Sequence, residues 1–200
     1  METEIERRLS RLYAAVGELE ETDLSKFPVR AMSPSSSERV HDFSGGRTDE
    51  GLENLAHSVI AGIANLGDHA RTFAKLSGRD PKLVDGAIGQ SESLRLLIDL
   101  ANREKHGGDR RDGGESGQQP RLGLIVRGLE LRPLGGVNVA VSFGEAGTVV
   151  TPAGHLAVVL NAQILNATGE TIGYLRDLVK EGLRAWEGLF REWGIIDGAA

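Results

Sequence analysis

Apolar residues recur at two different periods along this chain, and the change of period divides it. Ile5, Leu9, Leu12, Val16 and Leu19 repeat every three or four residues, which predicts an amphipathic helix over residues 3–21. Leu52, Leu55, Ala56, Val59, Ile63, Leu66, Ala70 and Phe73 do the same, starting from Thr48-Asp49-Glu50 and stopping at Ser77-Gly78. The threonine supplies an N-cap, and the two acids suit the positive end of the helix dipole. Asp80-Pro81 restarts the chain for a short helix to about Gly89. A further helix, capped by Ser91 or Ser93, runs to Gly107-Gly108. Beyond Pro120 the period drops to two. Leu122, Leu124 and Val126, then Val137, Val139, Val141 and Phe143, then Val149-Val150 and residues 155–165, read as strands separated by glycine-rich turns. Ile172, Leu175, Leu178, Val179, Leu183, Trp186, Leu189, Phe190 and Trp193 return to helical spacing until Gly194 stops them.

This order predicts an α+β fold: a helical core over 48–107, a four-stranded antiparallel meander over 121–166, and a C-terminal amphipathic helix over 170–193. The single domain is expected to span 48–200, with the helix of residues 1–21 joined to it loosely. Residues 22–47 carry Pro28, Pro34, serines at 33 and 35–37, and Gly45-Gly46, a composition that predicts a flexible linker. Residues 107–120 are almost free of apolar side chains and are expected to form a mobile flap directly after His106.

The helix ending at Gly107 carries the chemistry. At about 100° per residue, Arg95, Asp99, Asn102 and His106 fall within an arc of about 60°. Imidazole exchanges protons near neutral pH, so His106 is the candidate general acid or base. Asn102 and Arg95 can contact a phosphate or stabilise negative charge, and Asp99 can orient His106 or Arg95. The same residues also fit a purely structural reading. Arg95 with Asp99, and Asp99 with Arg103, have the i,i+4 spacing of surface ion pairs, and cations are favoured at a helix C-terminus.

The segment Ala101-Asn102-Arg103-Glu104-Lys105-His106-Gly107 resembles the terminal motif of the HEPN superfamily of helical ribonucleases and nucleic-acid-associated domains. Asn102 and His106 match; Ala101 stands where the family has arginine. The resemblance covers residues 50–107 and implies metal-independent RNA cleavage at a dimer interface, in a cytoplasmic stress or antiviral defence protein. It implies RNA contacts by Arg103, Lys105, Arg110 and Arg111, and a homodimer. The rival expectation is a non-catalytic interaction module in which the stripe is a polar seam.

Composition narrows these readings. A net charge of −6 argues against coating nucleic acid by bulk electrostatics. With no cysteine, disulfides, thiolate catalysis and cysteine-ligated zinc are excluded. His57 and His69 lack the spacing of a helical metal site, no phosphate-loop or GxSxG pattern occurs, and no cofactor or metal is expected. The charged N-terminus without an apolar core, and the lack of any run of about 20 apolar residues, give the expectation of a cytoplasmic chain without a membrane span.

Overall fold

The computed structural model describes residues 4–27, 29–31, 39–108, 113–133, 140–144, 147–151 and 154–196. Five helices form one layer: α1 (Glu4–Gly17), α2 (Asp49–Leu76), α3 (Lys82–Gln90), α4 (Glu92–His106) and α5 (Leu175–Glu192). Their ends follow the sequence signals. Thr48 Oγ1 accepts a hydrogen bond from the Gly51 amide at 3.2 Å, Asp80 Oδ1 one from the Lys82 amide at 2.9 Å, and Ser91 Oγ one from the Leu94 amide at 3.2 Å. Gly107 closes α4 in the left-handed conformation, with φ of 69°.

The buried stripe of α2 meets α4 and α5 along one contact line. Gly182 of α5 lets the three helices converge: a Cβ there would lie 2.9 Å from Leu97 Cδ1, 3.3 Å from Leu94 Cδ2 and 3.6 Å from Ile63 Cγ2. One turn on, the fully buried Trp186 donates its indole N–H to the Ile63 carbonyl at 3.0 Å. That bond removes the penalty of burying the one polar atom of a large apolar side chain. Around the far end of α5, Arg79 donates to the Trp193 carbonyl at 2.8 Å while its guanidinium covers the Phe73 ring.

The second layer is a four-stranded antiparallel sheet, and the α+β class and the helix–sheet–helix order stand as expected. Its central strand is β7 (Gly154–Leu165), paired along its length with β4 (Arg121–Pro133), from Arg121 opposite Leu165 to Pro133 opposite Gly154. Its other edge carries β1 (Glu20–Glu21) and β8 (Thr171–Tyr174). The strands β5 (Ala140–Gly144) and β6 (Gly147–Thr151) pair with each other, as do β2 (Val29–Ala31) and β3 (Arg39–His41). The four strands of the sheet are therefore not four consecutive ones. Ladder register decides this, because β4 and β7 match over their whole lengths and the β5–β6 hairpin is inserted between them. The expected strand positions Val137 and Val139 lie outside the described residues. Leu160, Ala162 and Ile164 of β7 face the helices, joined by Leu122 and Ile125 of β4. Residues 171–174, expected as the first turn of the last helix, instead extend β7's edge before α5 begins.

Two expectations at the N-terminus change. Helix α1 is not loosely joined: Ile5, Leu9 and Leu12 are buried in the same core as α2 and α5. Leu19 accepts a hydrogen bond from the Leu160 amide at 2.7 Å, which brings β1 into the sheet. The Tyr13 hydroxyl donates to Glu187 at 2.5 Å; burial, then that carboxylate, pushes its pKa up to about 12. An amphipathic helix gains stability only when its apolar face is covered, and α2 covers it. The described part of the expected linker is also structured. Phe27 is buried beneath the Arg127 guanidinium, 5.1 Å from the ring centre, and Arg127 donates to the Ser44 carbonyl at 2.8 Å. Arg176 of α5 ties β1 to β4 by pairing with Glu20 at 2.9 Å and with Glu130.

Replacing Leu9 by alanine should therefore lower unfolding free energy by about 2 to 5 kcal/mol in urea denaturation, the cost of a core cavity. Unchanged stability would show that α1 contributes nothing to the core.

Candidate functional site

Helix α4 presents its polar stripe as the periodicity predicts, but the four members have different surroundings. Arg95 and Asn102 are half-buried, Asp99 is 6% exposed, and His106 is exposed on the last turn. A carboxylate so buried must be compensated by hydrogen bonds. Asp99 obtains them from the glycine-rich segment that follows the helix. Its Oδ1 accepts from the Glu115 amide at 2.8 Å, and its Oδ2 from the Ser116 amide at 2.7 Å and the Ser116 hydroxyl at 2.6 Å.

The glycines make this contact possible. Gly113, Gly114 and Gly117 have φ of 80°, 75° and 72°, which L side chains rarely adopt. A Cβ on Gly114 would lie 2.3 Å from Asp99 Oδ1. Ser116 Oγ accepts in turn from the Gln118 amide at 3.2 Å, and the Gln118 side chain donates to Glu92 at 3.0 Å. The Gln118 carbonyl accepts from the Ala167 amide at 3.2 Å, linking the turn to the sheet. Residues 113–120 are thus seated on α4, where composition alone predicted a mobile flap over 107–120; residues 109–112 of that stretch lie outside the described residues. Low apolar content removes hydrophobic packing, yet a buried carboxylate can hold a turn through its backbone N–H groups.

The expected role of Asp99 changes accordingly. Its hydrogen bonds go to residues 115 and 116, and among the described residues it pairs with neither Arg95 nor His106. Arg95 Nε is buried without a hydrogen-bond partner. His106 has no hydrogen bond or ion pair among the described residues. Arg103 is half-buried and lines the small cleft beside Asp99 and Gly114, while Arg110 and Arg111 lie outside the described residues.

Asn102 and Lys105 meet a different set of groups. They line a groove of about 420 Å³ between α4 and α2, to which α2 contributes His57 and Asn65 above a floor that includes Ala61, Ala64 and Ala101. His57 Nε2 lies 3.7 Å from Glu104 and 3.8 Å from Glu53. At the other end of the groove Arg71 is held by Asp68 at 3.0 Å and Asp85 at 2.9 Å. The amides of Asn65 and Asn102 and the Lys105 ammonium have no partner within the described residues, so the groove offers unspent hydrogen-bonding groups. Residue type and spacing mark His57 only as a histidine without the spacing of a helical metal site, and do not mark Asn65. Their signal is the polar and small stripe of His57, Ala61, Ala64 and Asp68, a face of the helix without a large apolar side chain. Among the described residues no group of three or more histidine, aspartate or glutamate side chains could hold a metal ion. None of the described helices is long and apolar enough to cross a membrane.

No protein-family model, curated protein or solved structure was found to match this chain.

Asp99→Ala and Gly114→Ala should each destabilise the fold, by about 2 to 3 kcal/mol in the first case, where two backbone donors lose a charged acceptor. His106→Ala should fall within about 0.5 kcal/mol of wild type, as an exposed position does. Chemical denaturation of the three variants checks both statements.

Proposed function

We propose that this chain is a non-catalytic binding module that engages its partner through the polar groove between α2 and α4. The observation that carries this reading is the position of Asp99. The one carboxylate of the α4 stripe is spent on holding the 113–118 turn, so that among the described residues His106 has no orienting acid. Ala101 in place of the motif arginine, and a net charge of −6, weigh in the same direction. The groove, by contrast, combines an apolar floor with accessible amides free to bond a partner, which is the make-up of a recognition surface.

A second reading is a HEPN-like, metal-independent ribonuclease of a cytoplasmic stress or antiviral defence system. It is favoured by the resemblance of Asn102 and His106 to that superfamily's motif and by the exposure of His106 beside the basic residues Arg103 and Lys105.

Incubation of mixed tRNA and mRNA with wild type and with His106→Ala, both in EDTA, separates the two. The binding-module reading expects intact RNA with either protein. Cleavage by wild type that disappears in the folded variant would overturn it in favour of the ribonuclease.

A further inference from the structure

We propose that the partner of this groove is an extended peptide segment of another protein, held by its main chain between Asn65 and Asn102. This rests on the binding-module reading and names its partner.

The charges along the groove select a peptide. Asp68 is bound to Arg71, which Asp85 also holds, and His57 lies between Glu53 and Glu104, so these groups already have partners inside the chain. Of the polar groups that remain, Lys105 and Glu115 carry one charge of each sign, and Asn65 and Asn102 carry none. A nucleic acid laid here would gain a single unpaired cation and would meet the carboxylates of Asp68, Glu104 and Glu115. Binding a phosphate backbone needs the reverse balance. A peptide main chain is neutral, and each residue other than proline presents one N–H and one C=O. A carboxamide presents the same two groups, so one asparagine can bond both. Asn65 is exposed and Asn102 half-buried, so both are within reach of a bound chain.

The spacing of the two asparagines fits an extended chain. Helices α2 and α4 run antiparallel, because His57 lies beside Glu104 while Ile63 and Leu97 meet around Gly182. Those two pairs set Asn102 level with residues 58 and 59 of α2, six or seven residues before Asn65. The carboxamides therefore stand about 10 Å apart along the groove, at the helical rise of about 1.5 Å per residue. That is the length of about three residues of extended chain. Backbone groups of successive residues in such a chain point to opposite sides, so residues three apart face opposite walls. Asn65 is on the α2 wall and Asn102 on the α4 wall, as this requires. Side chains of the bound segment point alternately away from the groove and onto its floor, where Ala61, Ala64 and Ala101 leave room for an apolar one. Main-chain bonds for affinity and a pocket for alternate side chains are the usual means of holding an extended peptide.

Random peptides of about a dozen residues, displayed on phage and selected against this chain, supply the probe. Selection should enrich a sequence whose synthetic peptide binds with a Kd on the order of 10 µM by calorimetry. Asn65→Ala and Asn102→Ala should each weaken that binding at least tenfold, and Ala64→Leu, which fills the floor, should abolish it. N-methylation of one main-chain nitrogen of the peptide should cost as much as the loss of either asparagine. Circular dichroism confirms that each variant is folded. Failure to enrich any peptide, or binding that both asparagine variants leave unchanged, overturns the proposal. So does a single-stranded oligoadenylate that binds wild type and not Ala64→Leu, which would give the groove to nucleic acid and leave the binding-module reading standing. RNA cleavage lost in His106→Ala would instead overturn that reading, so the two failures are told apart.

Discussion

The contact between the Asp99 carboxylate and the backbone of residues 115 and 116 joins the two layers of this protein. Leaving α4, the chain must travel from the helical layer to the start of β4, and it does so through a segment with almost no apolar side chains. Hydrophobic burial cannot hold such a segment, so the order of residues 113–120 must come from polar contacts. Asp99 supplies them from inside the protein, where a charge-assisted hydrogen bond is stronger than in water and a missing one costs more. The Gln118 carbonyl passes the same constraint to the β7–β8 turn through Ala167. The aspartate is therefore a structural group, and the stripe it belongs to is divided into a buried half that shapes the chain and an outer half that faces solvent and the groove.

This division explains how a helix can carry an array of residues suited to catalysis and still present a binding surface. Arg95 and Asp99 sit on the first half of the helix, where α5 and the turn enclose it. Asn102 and Lys105 sit beyond, where the alanines Ala61, Ala64 and Ala101 leave a groove between α2 and α4. The groove exists because Ala61, Ala64 and Ala101 do not fill the space that leucines at the same positions would occupy. Large apolar residues are concentrated instead on the opposite side of α2, where Trp186 and Gly182 draw α5 close.

Much of this was legible in the chain. Helix boundaries followed Thr48, Asp80, Ser91 and Gly107, because capping is a local matter of one side chain and one or two backbone groups. The class followed from the change of period after Pro120. Strand partners were not legible, since the pairing of β4 with β7 across an inserted hairpin depends on register over residues far apart in sequence. The packing of α1 was missed because the Pro- and Ser-containing stretch after it describes its own composition and says nothing of where the preceding apolar stripe docks. At the site, the face shared by Arg95, Asp99, Asn102 and His106 was read correctly from periodicity. The partner of Asp99 was not, because its ligands are backbone amides, which leave no mark on residue type apart from the glycines that free them. His57 and Asn65 could have been found by asking which face of α2 lacks large apolar residues.

The claim that Asp99 is spent on structure can be tested at the two amides it binds. Backbone hydrogen exchange followed by NMR in the wild-type protein reports the Glu115 and Ser116 N–H groups one by one. The account predicts that both exchange far more slowly than the exposed amides of neighbouring turns, and that Asp99→Asn removes much of that protection. Exchange of both amides at the rate of an open loop in the wild-type protein would contradict it, and would return Asp99 to the list of groups available for chemistry.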